Sequence, residues 1–191
     1  LDADLACPIL DPDGSSYEGG LLLGGGTTLD LNGHTISCTG GLKRAIRMGG
    51  AMLRNGTIAN CSEGLYIDTR KAVVEDVTFT HNTWGVFIEG GHDNTLRNNT
   101  AIENEYGFLL LPGEDDSGPN DNVLINNLAT RNSVIGFVVG KGRHNRLLGN
   151  TASLNGKGFV LNSADVFAKA NIAEENLGVG FEVLGDGALE E

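Results

Sequence analysis

The sequence predicts an all-β protein, a single-domain right-handed parallel β-helix of about seven to eight coils with ~22 residues in each. The first observation is that six glycines each lead into a short apolar strand, at steps of 21, 22, 29, 22 and 22 residues. A nearly fixed period of this size indicates a solenoid, in which the core exists only because coils stack. The six glycines are Gly64, Gly85, Gly107, Gly136, Gly158 and Gly180.

The second observation is the content of each coil. Short runs rich in Val, Ile, Leu and Phe, separated by Asn and Gly, are typical of strands. No stretch offers the 3.6-residue periodicity that a helix of about eleven residues would need. Parallel connections are overwhelmingly right-handed, and this sets the expected hand of the solenoid.

The third observation is that two polar side chains precede each glycine and mark the corners of the coil. Asparagine tolerates the left-handed backbone of a sharp corner, and stacked asparagines bond from one coil to the next. We therefore interpret these residues as structural. A small side chain lies two residues after the first residue of each polar pair, so the small side chains should also form a column. The marker pairs are Asn55 and Asn60, Asp76 and Asn82, Asn99 and Asn104, Asn127 and Asn132, Asn150 and Asn155, and Asn171 and Asn176. The small side chains are Thr57, Thr78, Ala101, Ala129, Ala152 and Ala173.

The chain reads as one domain, with an N-terminal cap over residues 1–27, the β-helix over 28–184 and a C-terminal tail over 185–191. A formal net charge of −12 argues against nucleic acid and anionic membranes as partners. No run of about eighteen apolar residues exists, so we expect no membrane insertion. The start at Leu1, without Met or a signal peptide, fits a processed or trimmed chain.

Three cysteines are too few for a disulfide scaffold, but two of them have an informative spacing. Cys38 and Cys61 are 23 residues apart, close to one coil, and one coil step satisfies disulfide geometry. We expect them to form a bridge, which fits an extracytoplasmic compartment. Cys7 is then left over, either buried in the cap or deprived of an upstream partner.

The opening of the chain, Asp4–Pro8 followed by Leu29–Ile36, resembles that of NosD-like right-handed β-helix proteins. The stacked Asn and Gly-Phe coils resemble that family too, which includes carbohydrate-binding and sugar-hydrolase relatives. The resemblance implies an extracytoplasmic domain that binds a polysaccharide, with its modification as a further option. The alternative is a non-enzymatic module that forms a homo-oligomer or docks a partner. A metal-handling role is a third option, against which the lack of Met and His clusters counts.

Whether the protein is an enzyme stays open at the level of sequence. The glycine strand resembles the strand that carries the catalytic site of polygalacturonases, whose motifs on successive coils are Asn-Thr-Asp, Asp-Asp, Gly-His-Gly and Arg-Ile-Lys. None of these four motifs is intact at the matching places of this chain. If the residue after each glycine faces inward, the next faces outward, and this outward stripe lacks the carboxylate pair of a glycosidase. An enzyme of this fold would be of the polysaccharide lyase or hydrolase type. The outward stripe consists of Tyr66, Phe87, Leu109, Val138, Val160 and Glu182.

Part of this stripe is apolar enough to be a binding surface. Trp84, Phe87, Tyr106 and Leu109 should lie together on neighbouring coils, extended by Ile135 and Val138. Monomers rarely expose apolar patches above a few hundred Å². Three interpretations remain: a loop of the same chain covers the patch, a second copy or partner packs on it, or sugar rings stack on its aromatic side chains.

The 29-residue step holds about seven surplus residues, within 112–121, and solenoid insertions often carry function. Asp115, Asp116 and Asp121 are candidate calcium ligands there. Weak catalytic candidates are His92 with Asp93 as a general base, near His144 and Arg143. A transition metal held by His92, Asp121 and His144 is another option. The plainest interpretation is a solvated acidic loop whose charges pair with Lys141 and Arg143.

Overall fold

The structure is a computed structural model that describes residues 1–7, 20–39, 44–116, 118–163, 165–185 and 188–190. Within these residues every regular element is a strand. The strands form two parallel sheets of 14 and 8 strands, in which each strand pairs with its equivalent on the next coil. The predicted all-β parallel solenoid is therefore confirmed.

The eight-stranded sheet contains the glycine strands, and we call it the glycine-strand sheet. It runs through β2 (Leu21–Leu23), β5 (Arg44–Met48), β7 (Glu63–Ile67), β9 (Trp84–Glu89), β12 (Tyr106–Leu111), β15 (Ile135–Val139), β18 (Lys157–Leu161) and β21 (Phe181–Val183).

The fourteen-stranded sheet bends at the asparagine corners, and we call it the corner sheet. The long strands β6 and β8 each cover both sides of the bend, whereas later coils use two short strands instead. It comprises β1 (Leu5–Cys7), β3 (Thr28–Asp30), β4 (Thr35–Cys38), β6 (Met52–Ala59), β8 (Val73–Thr80), β10 (Thr95–Arg97), β11 (Thr100–Ile102), β13 (Val123–Ile125), β14 (Leu128–Thr130), β16 (Arg146–Leu148), β17 (Thr151–Ser153), β19 (Phe167–Lys169), β20 (Ile172–Glu174) and β22 (Ala188–Glu190).

Three of the strands lie in segments that the sequence assigned to the ends. β1 and β2 fall within the expected cap and pair with β4 and β5, and β22 falls within the expected tail and pairs with β19. All three continue the parallel registers of their sheets.

The core is a column of side chains that directly follow the glycines. Leu65, Val86 and Phe108 are fully buried, as the alternation of the strand predicts. Further along, the rings of Phe108, Phe137, Phe159 and Phe181 stack with centroids 4.7–4.9 Å apart. This spacing matches the distance between parallel strands, so one stack of rings fills the interior of four coils.

Three columns of buried asparagines hold the corners. Each amide oxygen that takes part in a ladder accepts from the coil before it. Each amide nitrogen donates to a backbone carbonyl of the preceding coil and, except in the last asparagine of a column, also to the asparagine of the following coil. Asn127, for example, donates from Nδ2 to Asn150 Oδ1 at 3.0 Å and to the Leu96 carbonyl at 3.0 Å. The columns are Asn94, Asn122 and Asn145; Asn99, Asn127, Asn150 and Asn171; and Asn82, Asn104, Asn132, Asn155 and Asn176.

The asparagine ladders were predicted, but their register in the first coils was wrong by one residue. Asn55 and Asp76 align with Asn98 rather than Asn99, and all three have positive φ, at 63°, 55° and 56°. The column of small side chains shifts with them, because Ala101 pairs with Phe79 and not with Thr78. The cause is the Asn-Asn dipeptide in later coils, where the first residue takes the left-handed turn and the second enters the ladder.

At the N-terminal end one asparagine column gives way to cysteines. Cys61 occupies the position of the ladder, since its backbone N–H donates to Asn82 Oδ1 at 2.9 Å. Cys61 and Cys38 are disulfide-bonded, as the one-coil spacing led us to expect. Cys7 pairs in register with Cys38 and keeps a buried free thiol, whose pKa is raised by burial. At this end of the column, cysteines with a disulfide bond therefore take the place of the hydrogen-bonded asparagines.

Candidate functional site

The loop of the long coil packs against the corner of the following coil. Gly118 approaches Gly142, and Lys141 Nζ donates to Asp116 Oδ1 at 3.1 Å. His144 Nδ1 lies 3.4 Å from Asp121 Oδ1. The Lys141–Asp116 ion pair is exposed, and a pair of this kind contributes only about 0 to 1 kcal/mol.

Backbone conformation explains the polar column that the sequence singled out beside this loop. Asp93, Asp121 and His144 are equivalent corner residues with φ of 57°, 56° and 56°. Short polar side chains are enriched in this left-handed region. Their repetition follows from a turn that recurs on every coil, and it needs no ligand.

The structure brings the weak catalytic candidates only partly together: Arg143 and His144 line one open cavity with Asp116 and Asp121, whereas His92 and Asp93 are not among its lining residues. His92 is half-buried with a buried Nδ1 that has no hydrogen-bond partner among the described residues, whereas Asp93 beside it is exposed. Arg143 is exposed, and its backbone N–H donates to Asn120 Oδ1 at 2.8 Å. Across the part of the chain that the structure describes, no three His, Cys, Asp or Glu side chains are placed to hold a metal. Calcium at Asp115, Asp116 and Asp121 therefore finds no support.

The outer face of the glycine-strand sheet carries a second, smaller apolar cluster. Tyr66, Phe87 and Leu109 point outward but are only 7%, 8% and 5% exposed, because side chains on neighbouring coils cover them. The Phe87 ring meets Trp84 and Tyr66 edge-on, with centroids 4.9 and 5.7 Å away. The half-buried Trp84 and Tyr106 form the accessible rim of this cluster.

The surplus loop does not account for this burial. Its described hydrogen bonds lie at the corners of the two neighbouring coils, with Asp93 on one side and Lys141 and Arg143 on the other. Leu111, which precedes the loop, is the residue that joins the outer cluster. The aromatic surface of Trp84 and Tyr106 consequently stays partly open.

Charged side chains surround the Tyr66 end of this cluster. The Arg44 guanidinium lies 3.6 Å above the centre of the Tyr66 ring and pairs with the buried Glu63. Arg47 Nη2 donates to Asp68 Oδ2 at 2.6 Å. Tyr66 Oη donates to Glu89 Oε2 at 2.5 Å. Two cations, three carboxylates and a phenol thus lie on neighbouring positions of adjacent strands, and we call them the polar group.

Two features of this group bear on its chemistry. Burial, followed by the hydrogen bond to Glu89, holds the pKa of Tyr66 well above its ordinary value, so the phenol stays protonated and acts as a donor. Asp68 Oδ1 is buried and has no hydrogen-bond partner within the described residues. A buried acceptor without a hydrogen bond lowers the stability of the folded protein by about 1 to 3 kcal/mol. A hydrogen bond from a donor to this oxygen would therefore be favourable.

Asp68 and Glu89 are not among the residues that the sequence singles out as a carboxylate pair. The first outward residues of their strands are Tyr66 and Phe87, which carry no carboxylate. Two residues further along, Asp68 and Glu89 face outward on adjacent coils, just past the register pair Ile67 and Ile88. Continuing the alternation to the end of each strand would have found both.

The sequence model of one protein family, described as periplasmic copper-binding protein (NosD), matches residues 25–188. The chain therefore belongs to the NosD family, a family of right-handed β-helix proteins, and the expected extracytoplasmic location is confirmed. No curated protein and no solved structure matches the chain. Among the described residues, no helix has the length and hydropathy to cross a bilayer.

Copper, which the family description implies, does not fit the side chains that the structure describes. Copper favours imidazole nitrogen and cysteine or methionine sulfur. Cys38 and Cys61 are joined in the disulfide, Cys7 is a single buried thiol and Met48 is fully buried in the core. Met52 is half-buried and is the one partly accessible sulfur side chain among the described residues. The histidines do not join other potential ligands in a group of three or more within the described residues. His34 lies beside Asp4, His81 beside Glu103 and His144 beside Asp121, and Nδ1 of His92 has no hydrogen-bond partner among the described residues.

Proposed function

We propose that this member of the NosD family binds a polysaccharide along the outer face of its glycine-strand sheet. The observation that carries the proposal is an open aromatic rim, Trp84 and Tyr106, on the same face as the polar group around Asp68 and Glu89. Aromatic rings offer large flat contact area, and polar side chains beside them fix orientation.

The dimensions of this face suit an extended chain molecule. From the row of Trp84 to the row of Glu89 the strand advances five residues, or about 16 Å at 3.3 Å per residue. Across the coils, equivalent residues repeat about every 4.8 Å. Since strands of a stacked solenoid are rigid, the surface is organised before a ligand arrives, and little conformational entropy is lost on binding.

Binding is proposed rather than cleavage. Asp68 and Glu89 are neighbours on one flat face, where they already bond to Arg47 and Tyr66. The acid and base of a glycosidase flank the scissile bond from two sides. The arrangement is therefore better suited to holding hydroxyl groups than to protonating a glycosidic oxygen.

Assembly through Trp84, Phe87, Tyr106 and Leu109 is the competing proposal, with a second copy or another protein as the partner. Burial weighs against it, because Phe87 and Leu109 are already covered within the chain and would add little apolar area to an interface.

The test uses Trp84, which is the single tryptophan of the chain. A soluble glycan that stacks on it should change its fluorescence emission. Trp84→Ala should weaken binding, measured by calorimetry, about tenfold, the loss expected for an aromatic contact of about 1.4 kcal/mol. Phe167→Ala, a half-buried aromatic on the corner sheet, is the matched control and should bind as the wild type does.

Light scattering distinguishes polysaccharide binding from assembly through this face. If the face binds a glycan, the molecular mass of the protein in solution should be the same for the wild type and Phe87→Asp, whether the protein is a monomer or an oligomer. If Phe87→Asp dissociates a dimer or trimer and no glycan alters the Trp84 emission, assembly is the function of this face and polysaccharide binding is wrong.

A further inference from the structure

We propose that the glycan held on this face is uncharged, and that Asp68 Oδ1 and the Glu89 carboxylate accept hydrogen bonds from its hydroxyl groups. The inference rests on the proposed function and deepens it by naming the ligand class and the residues that select it.

The first step is the unsatisfied oxygen. Asp68 Oδ2 is held by Arg47 at 2.6 Å, which fixes the carboxylate plane, while Oδ1 is buried without a partner in the described residues. The Asp68 side chain as a whole is 22% exposed. A ligand hydroxyl reaches the covered Oδ1 once a neighbouring side chain moves aside, and binding then removes a cost already present in the free protein.

The second step is the neighbouring carboxylate. Glu89 lies on the next coil at the position equivalent to Asp68, so the two groups sit about one strand spacing apart. Tyr66 occupies Glu89 Oε2 and fixes that side chain as well. Two immobilised acceptors side by side match a sugar ring that offers two adjacent hydroxyl donors.

The third step is the charge on the face. Arg44, Arg47 and Lys157 are each already paired, with Glu63, Asp68 and Glu182 respectively. Glu89 then leaves the group around Tyr66 with a net negative charge, in a chain of formal net charge −12. A carboxylated or sulfated glycan would be repelled there, whereas a neutral one pays no such penalty.

A corner-sheet ion pair supplies the matched control. Arg97 Nε donates to Glu75 Oε2 at 2.6 Å, and both residues face outward on adjacent strands. No buried Glu75 oxygen is without a partner in the described part of the chain. Glu75→Gln therefore removes an Arg–carboxylate pair like that of Asp68 but leaves the proposed ligand acceptor intact.

The experiment is calorimetric titration of the whole chain with three hexasaccharides: β-linked glucose, β-linked mannose and galacturonic acid. At least one neutral hexamer should bind, with an affinity that salt leaves unchanged, and the galacturonate hexamer should bind at least about tenfold more weakly. Asp68→Asn and Glu89→Gln should each weaken the neutral hexamer about tenfold, while Glu75→Gln should not. Circular dichroism confirms that each variant is folded.

The possible failures are distinguishable. If the galacturonate hexamer binds as tightly as the neutral ones, the uncharged ligand class is wrong and polysaccharide binding stands. If a neutral hexamer binds equally to the wild type, Asp68→Asn and Glu89→Gln, the assignment of these acceptors is wrong. If no hexamer binds and the Trp84 emission never changes, the proposed function fails and the inference fails with it.

Discussion

The asparagine corners and the outer face of the glycine-strand sheet are built from the same repeat. They differ because equivalent corner positions carry the same side chain on successive coils, whereas equivalent outer-face positions do not. At the corners one side chain recurs on up to five successive coils, and each copy satisfies the next. On the outer face the equivalent positions change from coil to coil, as in the row Glu63, Trp84, Tyr106, Ile135 and Lys157.

The difference shows how to separate scaffold from site in a solenoid. Where identical residues stack, their hydrogen bonds run along the solenoid axis and leave nothing for a ligand. Where equivalent residues differ, they do not bond to one another along the axis. A polar atom there, such as Asp68 Oδ1, can then be left without a hydrogen-bond partner in the described residues. The chemistry of this protein is therefore expected where the repeat is broken.

The largest expected effect is at the corners, where neighbouring asparagines provide a matched pair. Asn99 donates from Nδ2 to the Val74 carbonyl and to Asn127 Oδ1, and its Oδ1 accepts from the Val77 N–H. Asn99→Ala should cost about 4 kcal/mol in unfolding free energy, because the Val74 carbonyl and the Val77 N–H lose their partner and Asn127 Oδ1 keeps only the Asn99 backbone N–H. Denaturant unfolding measures the loss.

Asn98→Gly is the control for that variant. Asn98 is exposed and has φ of 56°, a conformation that glycine adopts without strain, so the change should stay within about 0.5 kcal/mol. Equal costs at both positions would contradict the assignment of Asn99 alone to the ladder.

The next effect is at the disulfide that ends one ladder. Cys38→Ser should lower the unfolding free energy by about 3 kcal/mol, because the bond closes a loop between residues 23 apart and restricts the unfolded chain. Reduction of the wild type should give a similar loss. A wild type whose melting temperature is indifferent to reductant would show that packing of this end, and not the bond, carries its stability.

The smallest effect concerns the outer face and depends on pH. The folded-state pKa of Tyr66 is raised, so its stabilising contribution is complete below the unfolded pKa of about 10 and is lost as pH rises through the folded value. Melting temperature should therefore fall more steeply above pH 10 in the wild type than in Tyr66→Phe. The difference in tyrosinate absorbance between the wild type and Tyr66→Phe, followed against pH, reports the titration of Tyr66 alone. A titration midpoint near pH 10 would contradict the burial described for this phenol.

Much of the fold followed from spacing alone. The glycine steps predicted stacked coils, and the residues after the glycines were correctly placed in the core. Register within a coil was harder, because Asn98 and Asn99 carry the same side chain and only backbone φ distinguishes the turn from the ladder. The same ambiguity made Asp93, Asp121 and His144 look like a ligand column, although a left-handed corner explains them.

The sequence by itself determined the solenoid, because a periodic chain must place equivalent residues one strand spacing apart whatever their chemistry. It also brought Cys38 and Cys61 onto neighbouring coils. Only the tertiary structure decided which outward side chains are covered and which keep a free hydrogen-bonding atom. Burial of Phe87 and the unsatisfied oxygen of Asp68 depend on the packing of long side chains across coils, and periodicity carries no information about that.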